Sequence, residues 1–307
     1  MSKHILGIDV SRRKLDVALI LNGKTLTKQF DNSTSGFKLL SAWLTSLHIR
    51  QVHACLEATG SYGDAVALFL HQAGHGVSLV NPFRIKDYAK SKLQRNKTDR
   101  ADARLIADFC LTQAPAQWFP PTPEVAELQA LTRRLEVLEQ MLQMEKNRLD
   151  VSPSKTKPSI RRMIQTFEKE IASLEKSITK QIDQNPDLQE QSSLLQTIPG
   201  IGEKTANLLL AEIEFSRYKS AREVAAYAGV TPKRAESGTS LNHTNLSKMG
   251  NGRIRKGLYF PAIVATGHNA HCQRVCHWFG KKRQDFNANS LCVNEKIVAH
   301  CFWSLET

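Results

Sequence analysis

The sequence predicts an α/β domain followed by helical segments, and three observations carry that expectation. Apolar runs with strand spacing alternate with amphipathic stretches near the N-terminus; leucine and isoleucine heptads fill the middle; leucine-rich helices flank a Gly-x-Gly turn further on. The expected divisions are residues 1–120, 121–187 and 188–307.

HILGIDV (4–10) and KLDVALI (14–20) are apolar, β-branched runs joined through SRRK, and TLTKQF makes a third short strand, so the chain opens as a meander. DNSTSG then leads into amphipathic FKLLSAWL. The buried-strand pattern VHACLEA follows, then the helix YGDAVALFLHQAG closed by glycine, the strand VSLVN, and a helix beginning near Asp99. The order βββαβαβα is that of a ribonuclease-H-like, or RuvC-like, domain: a mixed sheet with helices on its faces.

Leu128, Leu131, Leu135, Leu138, Leu142 and Leu149 keep a heptad seam interrupted at Glu145, and Ile160, Ile164, Phe167, Ile171, Leu174 and Ile178 keep another. Two long antiparallel coiled-coil helices follow, parted at VSPSKTKPS, where Pro153 and Pro158 remove backbone donors. The heptads leave two partners open, because a hairpin packed on its own domain and an arm joining subunits have the same pattern. After Pro186, LLQTIPGIGEKTANLLLAEI has the form of a helix-hairpin-helix element within a mostly helical C-terminal domain. Its turn at Gly200 and Gly202, with Lys204 just inside the next helix, would offer backbone amides to a phosphate; a plain connector between helices is the other reading.

The 307 residues carry 42 Lys and Arg against 29 Asp and Glu, a formal charge of +13 and a pI near 9.5. A polyanionic partner is therefore expected, nucleic acid above all. No run approaches the roughly 18 apolar residues that span a bilayer, and MSKHILGIDV lacks the apolar region of a signal peptide, so a soluble, cytoplasmic protein is expected. Cys55, Cys110, Cys272, Cys276, Cys292 and Cys301 form no CxxC pair and lie mostly among apolar residues, the pattern of free buried thiols. HCQRVCH (271–277) has zinc-like spacing without a second ligand cluster, so packing is its better reading.

Asp9 in LGIDVS and Glu57 in VHACLEATG interrupt apolar strands near their C-terminal ends, where an unpaired charge is costly. Asp99 and Asp102 in NKTDRADARLIA share one helix face, with Cβ atoms roughly 5–6 Å apart. Acids in a first turn also simply complement the helix dipole, which is the competing explanation of this pair. If the two strands are neighbours and the helix crosses above them, four carboxylates face one cavity. That arrangement calls for divalent cations, and oxygen ligands favour Mg²⁺ or Mn²⁺ and phosphoryl transfer on nucleic acid. Asp108 lies on about the opposite side of the helix from Asp99 and reads as solvated or capping. Lys92, Arg95 and Lys97 flank the tetrad as candidate phosphate contacts. Sugar kinases and actin-like ATPases also open with an Asp-bearing strand, but Ser11-Arg12-Arg13 offers no glycine for phosphate to approach.

GIDVSRRKLDVAL, LEATGSYG, NKTDRADARLIA, IPGIGEKTA and RAESGTSLNHTNLSKMGNGRIRKGLY, in this order over nearly the whole chain, resemble the DEDD-type insertion-sequence transposases, relatives of the Piv-type DNA invertases. The resemblance implies a RuvC-like nuclease domain whose acidic tetrad maps onto Asp9, Glu57, Asp99 and Asp102 and binds Mg²⁺ or Mn²⁺. A coiled coil and a transposase domain with a nucleophilic serine, matched by Ser237-Gly238, are implied after it. So is a recombinase directed to donor and target DNA by a structured bridge RNA, joining strands through a phosphoserine link that is resealed without ATP. Exchange between two duplexes also calls for a homo-oligomer, a dimer or tetramer.

Lys233 and Arg234 precede Ser237, and Lys248, Arg253, Arg255 and Lys256 follow it, a setting suited to scissile and leaving phosphates; a solvated basic face is the plainer alternative. Ser240 is the nearest rival nucleophile. Two other functions stay open at this level: a RuvC-like nuclease hydrolysing branched DNA with the tetrad alone, and a catalytically silent nucleic-acid-binding protein.

Overall fold

The computed structural model describes residues 4–58, 60–92, 98–237, 241–246, 249–268, 297–303 and 305, and the chain forms two compact units, Met1–Pro120 and Pro121–Thr307. The first unit follows the expected order. Strands β1 (His4–Val10), β2 (Lys14–Leu21) and β3 (Lys24–Asp31) precede α1 (Thr34–Ser46), and β4 (Val52–Glu57), α2 (Asp64–Gln72) and β5 (Gly76–Val80) complete the sheet. Two helices close the unit: α3 (Pro82–Ser91), which the sequence reading passed over, and α4 (Asp99–Gln113). The start of α3 carries a legible signal, because Asn81 accepts a hydrogen bond from the Phe83 amide and Pro82 occupies the first turn.

The five strands lie in the order β3-β2-β1-β4-β5, with β2 antiparallel to both β1 and β3 and with β1, β4 and β5 mutually parallel. Strand alternation sorts two different faces. Leu6 and Ile8 of β1, Val17 and Leu19 of β2 and Leu56 of β4 share a core with Phe37, Leu40 and Leu44 of α1 and Val66 and Leu70 of α2. Ile5, Ala18 and Cys55 turn the other way, into a core with Ile85 of α3 and Ala103, Ile106, Ala107 and Cys110 of α4.

This second face is built from small residues for a reason. Gly7 follows Ile5 by two positions and so shares its face; a Cβ there would stand 2.3 Å from the Ala107 nitrogen and 2.4 Å from the Ala103 oxygen. Helix α4 therefore rests directly on the backbone of β1, two residues before Asp9.

In the second unit α5 (Pro123–Val151) and α6 (Lys157–Asp183) pack as an antiparallel hairpin. Pro158, expected in the break, sits instead in the first turn of α6, where its missing N–H has no partner to lose, so the break is confined to 152–156. Leu128, Leu135, Ile178 and Ile182 at the hairpin's base join one core with Leu195 of α7 (Pro186–Gln196), Leu209 of α8 (Glu203–Glu212) and Val224 of α9 (Ala221–Ala228). Pro121–Thr307 form one compact unit, and the hairpin seam at this end is internal to it. Farther out, Leu142, Leu149, Ile160 and Phe167 are half-buried.

The C-terminal region is not helical throughout. A ribbon of β6 (Pro232–Ser237) and β7 (Leu241–Leu246) interrupts it before α10 (Gly252–Gly257) and α11 (Tyr259–His268). Among the described residues no helix is long and apolar enough to cross a membrane. Cys55, Cys110 and Cys301 are buried thiols outside any disulfide, as expected, while Cys272, Cys276 and Cys292 with the rest of HCQRVCH lie outside the described residues.

Gly7→Ala should separate α4 from β1, because the clash is with backbone on both sides. Denaturant titration is expected to show a loss of about 1–3 kcal/mol or more, the usual range for overpacking. An unchanged midpoint would mean that α4 does not press on the strand.

Candidate functional site

Parallel pairing of β1 with β4 matches Ile8 to Leu56, so Asp9 and Glu57 are the next residues on adjacent strands and face the same way. Gly7 and Asp9 share the face that α4 covers. The first turn of α4 brings Asp99 and Asp102 to this place, opened by Thr98, whose Oγ1 accepts from the Ala101 amide. Burial pushes the Asp9 carboxyl up to about 6, aided by the negative charges of Asp102, Asp99, Glu57 and Asp16. The four acids expected from sequence are therefore near enough to act on one another.

Among the described residues they are not closed into a ligand shell: no three His, Cys, Asp or Glu side chains surround a common point. Instead a side chain that the sequence reading passed over enters the cluster. Lys14, first residue of β2, places Nζ 2.5 Å from Asp99 Oδ2 and 3.2 Å from Asp16 Oδ2. Asp99, then Asp16, hold the Lys14 pKa above its ordinary value.

Asp16 is 3 % exposed, lies directly opposite Asp9 in the antiparallel register, and accepts a hydrogen bond from Gln29 Nε2 at 2.9 Å. The signal for both residues was the alternation in KLDVALI, which puts two charges on one face of a buried strand. Asp108 is elsewhere, as expected, though not merely solvated. Tyr88 Oη donates to its Oδ2 at 2.7 Å and Lys92 Nζ approaches at 3.0 Å, tying α3 to α4. Burial works to raise its pKa, and these two donors outweigh that and lower it.

The predicted phosphate contacts are only partly available. Lys92 is engaged by Asp108, while Arg95 and Lys97 lie outside the described residues. In the second unit Lys204 is paired with Glu139, and Glu136 holds Lys256 at 3.0 Å and Arg253 at 3.3 Å. Arg255 turns inward: its Nη1 is buried without a hydrogen-bond partner among the described residues and lies over Gly229. Gly200 has a positive φ of 99°, and a Cβ there would meet the Pro261 oxygen at 2.7 Å, so it seats the turn on α11. Gly202, by contrast, just before α8, would bring a Cβ within 4 Å of nothing beyond its chain neighbours among the described residues.

Asn251 organises α10. Its side-chain oxygen accepts from the Arg253 and Ile254 amides, and its Nδ2 donates to Glu212 Oε2 at 2.8 Å, a carboxylate also held by Arg133 at 2.9 and 3.2 Å. Ser237 is the last residue of β6, paired with Leu241 across the ribbon, where Lys233 pairs with Asn245 and Arg234 with Thr244. Gly238, Ser240 and Lys248 lie outside the described residues.

A mixed sheet carrying acids at two strand ends, with two more on the covering helix, is an architecture of nucleic-acid phosphoryl-transfer proteins. Comparison with known proteins narrows that class. Residues 6–151 match the DEDD_Tnp_IS110 transposase family, and residues 192–276 match the family described as Transposase IS116/IS110/IS902. The "Pilin gene-inverting protein" of Moraxella bovis is 33% identical over 270 residues, covering 87% of this chain and 84% of that one. The "Transposase for insertion sequence element IS1328" of Yersinia enterocolitica is 26% identical over 290 residues, 82% of this chain and 84% of that one. The chain belongs to the IS110 family of transposases. Among solved structures, T. thermophilus RuvC in complex with a Holliday junction substrate aligns with 38% of this chain and 98% of its own, at 15% identity and a TM-score of 0.29.

The raised Asp9 pKa has a sign that can be tested. Between the unfolded value of 3.8 and the folded value of about 6, unfolded chains ionise while the native carboxyl keeps its proton. Native stability from this group therefore falls as pH rises through that window and stays low above it. In chelator-treated protein, Asp9→Asn should melt higher than wild type at pH 7, with the difference closing as pH falls from about 6 toward 4. A pH-independent difference in melting temperature would contradict the shift.

Proposed function

We propose that this chain is a site-specific recombinase of an insertion sequence, cutting and rejoining DNA strands through a phosphoserine intermediate. The observation that carries the reading is the convergence of Asp9, Glu57, Asp99 and Asp102: next to burial, the charges of the other three help to raise the pKa of Asp9. Carboxylates gathered in one place favour a cation among them, and an all-oxygen donor set fits Mg²⁺ or Mn²⁺. These four residues would hold it. When bound, such ions polarise a phosphodiester and stabilise charge on its attacking and leaving oxygens.

The nucleophile assigned here is the Ser237 hydroxyl. Its Oγ attacks phosphorus, the bond to the 3′ oxygen breaks, and a 3′-hydroxyl leaves while the 5′ phosphate stays esterified to serine. Attack by the 3′-hydroxyl of an exchanged strand reverses these steps and restores Ser237, so each phosphodiester broken is replaced by one formed and no ATP is needed. Relatives named for gene inversion and for transposition support strand exchange over simple hydrolysis. The net charge of +13 fits a nucleic-acid assembly, which we take to include a structured guide RNA, donor and target DNA, and more than one copy of the chain. A hydrolytic nuclease is the second reading, because the acids gather within the first unit alone.

A suicide DNA substrate, denaturing electrophoresis and peptide mass spectrometry separate the two. Wild type should yield a protein–DNA adduct on the peptide containing Ser237, and Ser237→Ala none. Asp99→Asn and Asp102→Asn should each reduce cleavage by on the order of 10²–10³ or more, the range seen when a transition-state charge loses one stabilising group. Cleaved ends without an adduct would favour hydrolysis, and an adduct at Ser240 would move the nucleophile.

Guidance is tested separately by sequencing RNA that co-purifies at moderate salt. One discrete structured species is expected, and its loops should match DNA that recombines. A random sample of cellular RNA would remove the guide from the proposal.

A further inference from the structure

We propose that Lys14 is a placeholder cation for the carboxylate site, holding Asp99 until a divalent ion takes that carboxylate over; this rests on the metal-binding reading of the tetrad. The observation is a bridge with unlike ends. Lys14 Nζ contacts Asp99 Oδ2 at 2.5 Å and Asp16 Oδ2 at 3.2 Å, linking β2 to the first turn of α4. At one end Asp16 is buried, and its other oxygen accepts from Gln29 Nε2 at 2.9 Å, so this carboxylate is fixed. At the other end the Asp99 side chain is 55% exposed and stands at a helix terminus, where it can change rotamer.

The backbone of Lys14 is held as firmly as Asp16. Ser11 Oγ donates to the Lys14 carbonyl at 2.9 Å and accepts from the Lys14 amide at 3.2 Å, closing the turn between β1 and β2. Strand alternation then sets Lys14 and Asp16 on one face, the face that carries Asp9 across the register. The lysine side chain is 40% exposed and the Asp99 side chain 55%, so the solvent side of the bridge is at Asp99.

The carboxylates of Asp102, Asp99, Glu57 and Asp16 all lie near enough to act on Asp9, and the Lys14 ammonium is bonded to two of them, Asp99 and Asp16. An ion of Mg²⁺ or Mn²⁺ type takes a carboxylate oxygen at about 2.1 Å and leaves no room for an ammonium on the same lone pair. Ion and lysine therefore compete for Asp99, while Asp16 keeps the displaced lysine close. Lys14 acts through Asp99 and is a positioning residue. It weakens ion binding in the protein without nucleic acid, and a scissile phosphate, by adding oxygen ligands, tips the balance toward the ion.

The test is calorimetric titration of Mn²⁺ into the full chain free of nucleic acid, comparing wild type with Lys14→Met, Lys14→Arg and Asp9→Asn. Lys14→Met keeps the stem and removes the charge, so it should bind Mn²⁺ about three- to fivefold tighter, the scale of one partly exposed ion pair. Lys14→Arg should stay near wild type. Without metal Lys14→Met should melt lower than wild type, and Mn²⁺ should raise its Tm by more. A purely structural lysine would lower the Tm with Mn²⁺ affinity unchanged or weaker. That result overturns the placeholder and leaves the tetrad as the metal site. Mn²⁺ binding undiminished by Asp9→Asn overturns the tetrad assignment, and the placeholder with it.

Discussion

The contact on which the rest of the first unit depends is the one between α4 and β1 at Gly7. A helix ordinarily lies on a sheet with a layer of side chains between them; here the space for a Cβ is taken by the backbone of Ala103 and Ala107. Ala18 and Cys55 extend this thin patch onto the neighbouring strands. Its consequence is electrostatic. Bringing the helix down brings its first turn, with Asp99 and Asp102, onto strand ends that carry Asp9, Glu57 and Asp16. Apolar packing a few residues away both buries Asp9 and brings like charges beside it, and burial first, then those charges, raise its pKa.

Local devices then decide how those charges are met. The Ser11 turn and the Gln29–Asp16 bond cost little and order Lys14 in the one place where an ammonium can bridge sheet and helix. On the far side of α4, Asp108 is occupied by Tyr88 and Lys92, which keeps that carboxylate out of the cluster. Three aspartates of one short helix thus have two unlike environments, set by which face each occupies.

The second unit uses charge differently. Its basic residues are answered by acids of α5, with Glu136 holding Arg253 and Lys256 and Glu139 holding Lys204. A phosphate contact of the kind proposed at these positions would replace a carboxylate rather than fill open solvent. Exposed ion pairs are individually weak, so such replacement is inexpensive and sensitive to salt. The trio of Arg133, buried Glu212 and Asn251 is of another kind, since it fixes the start of α10.

Periodicity along the chain determined most of the first unit by itself. Alternation in HILGIDV and VHACLEA, the caps around Asp99 and the glycine after α2 depend on neighbours a few residues away, and short-range rules read them well. The acids were visible because a charge inside an apolar run is anomalous wherever the run ends up. What sequence reading missed was of three sorts. It passed over α3, whose cap signal is short, and the ribbon that ends at Ser237, whose polar strands lack an apolar face. It also drew no distinction among Gly200, Arg253 and Arg255, whose settings differ: one packs on α11, one is paired and one turns inward. Lys14 and Asp16 show why tertiary structure had to decide these matters. Spacing places both on one face of β2, but whether an ammonium meets Asp99, 85 positions away, depends on how close α4 approaches the sheet. That distance is set by the absence of a single Cβ at Gly7, a constraint that acts through space and leaves no period in the chain.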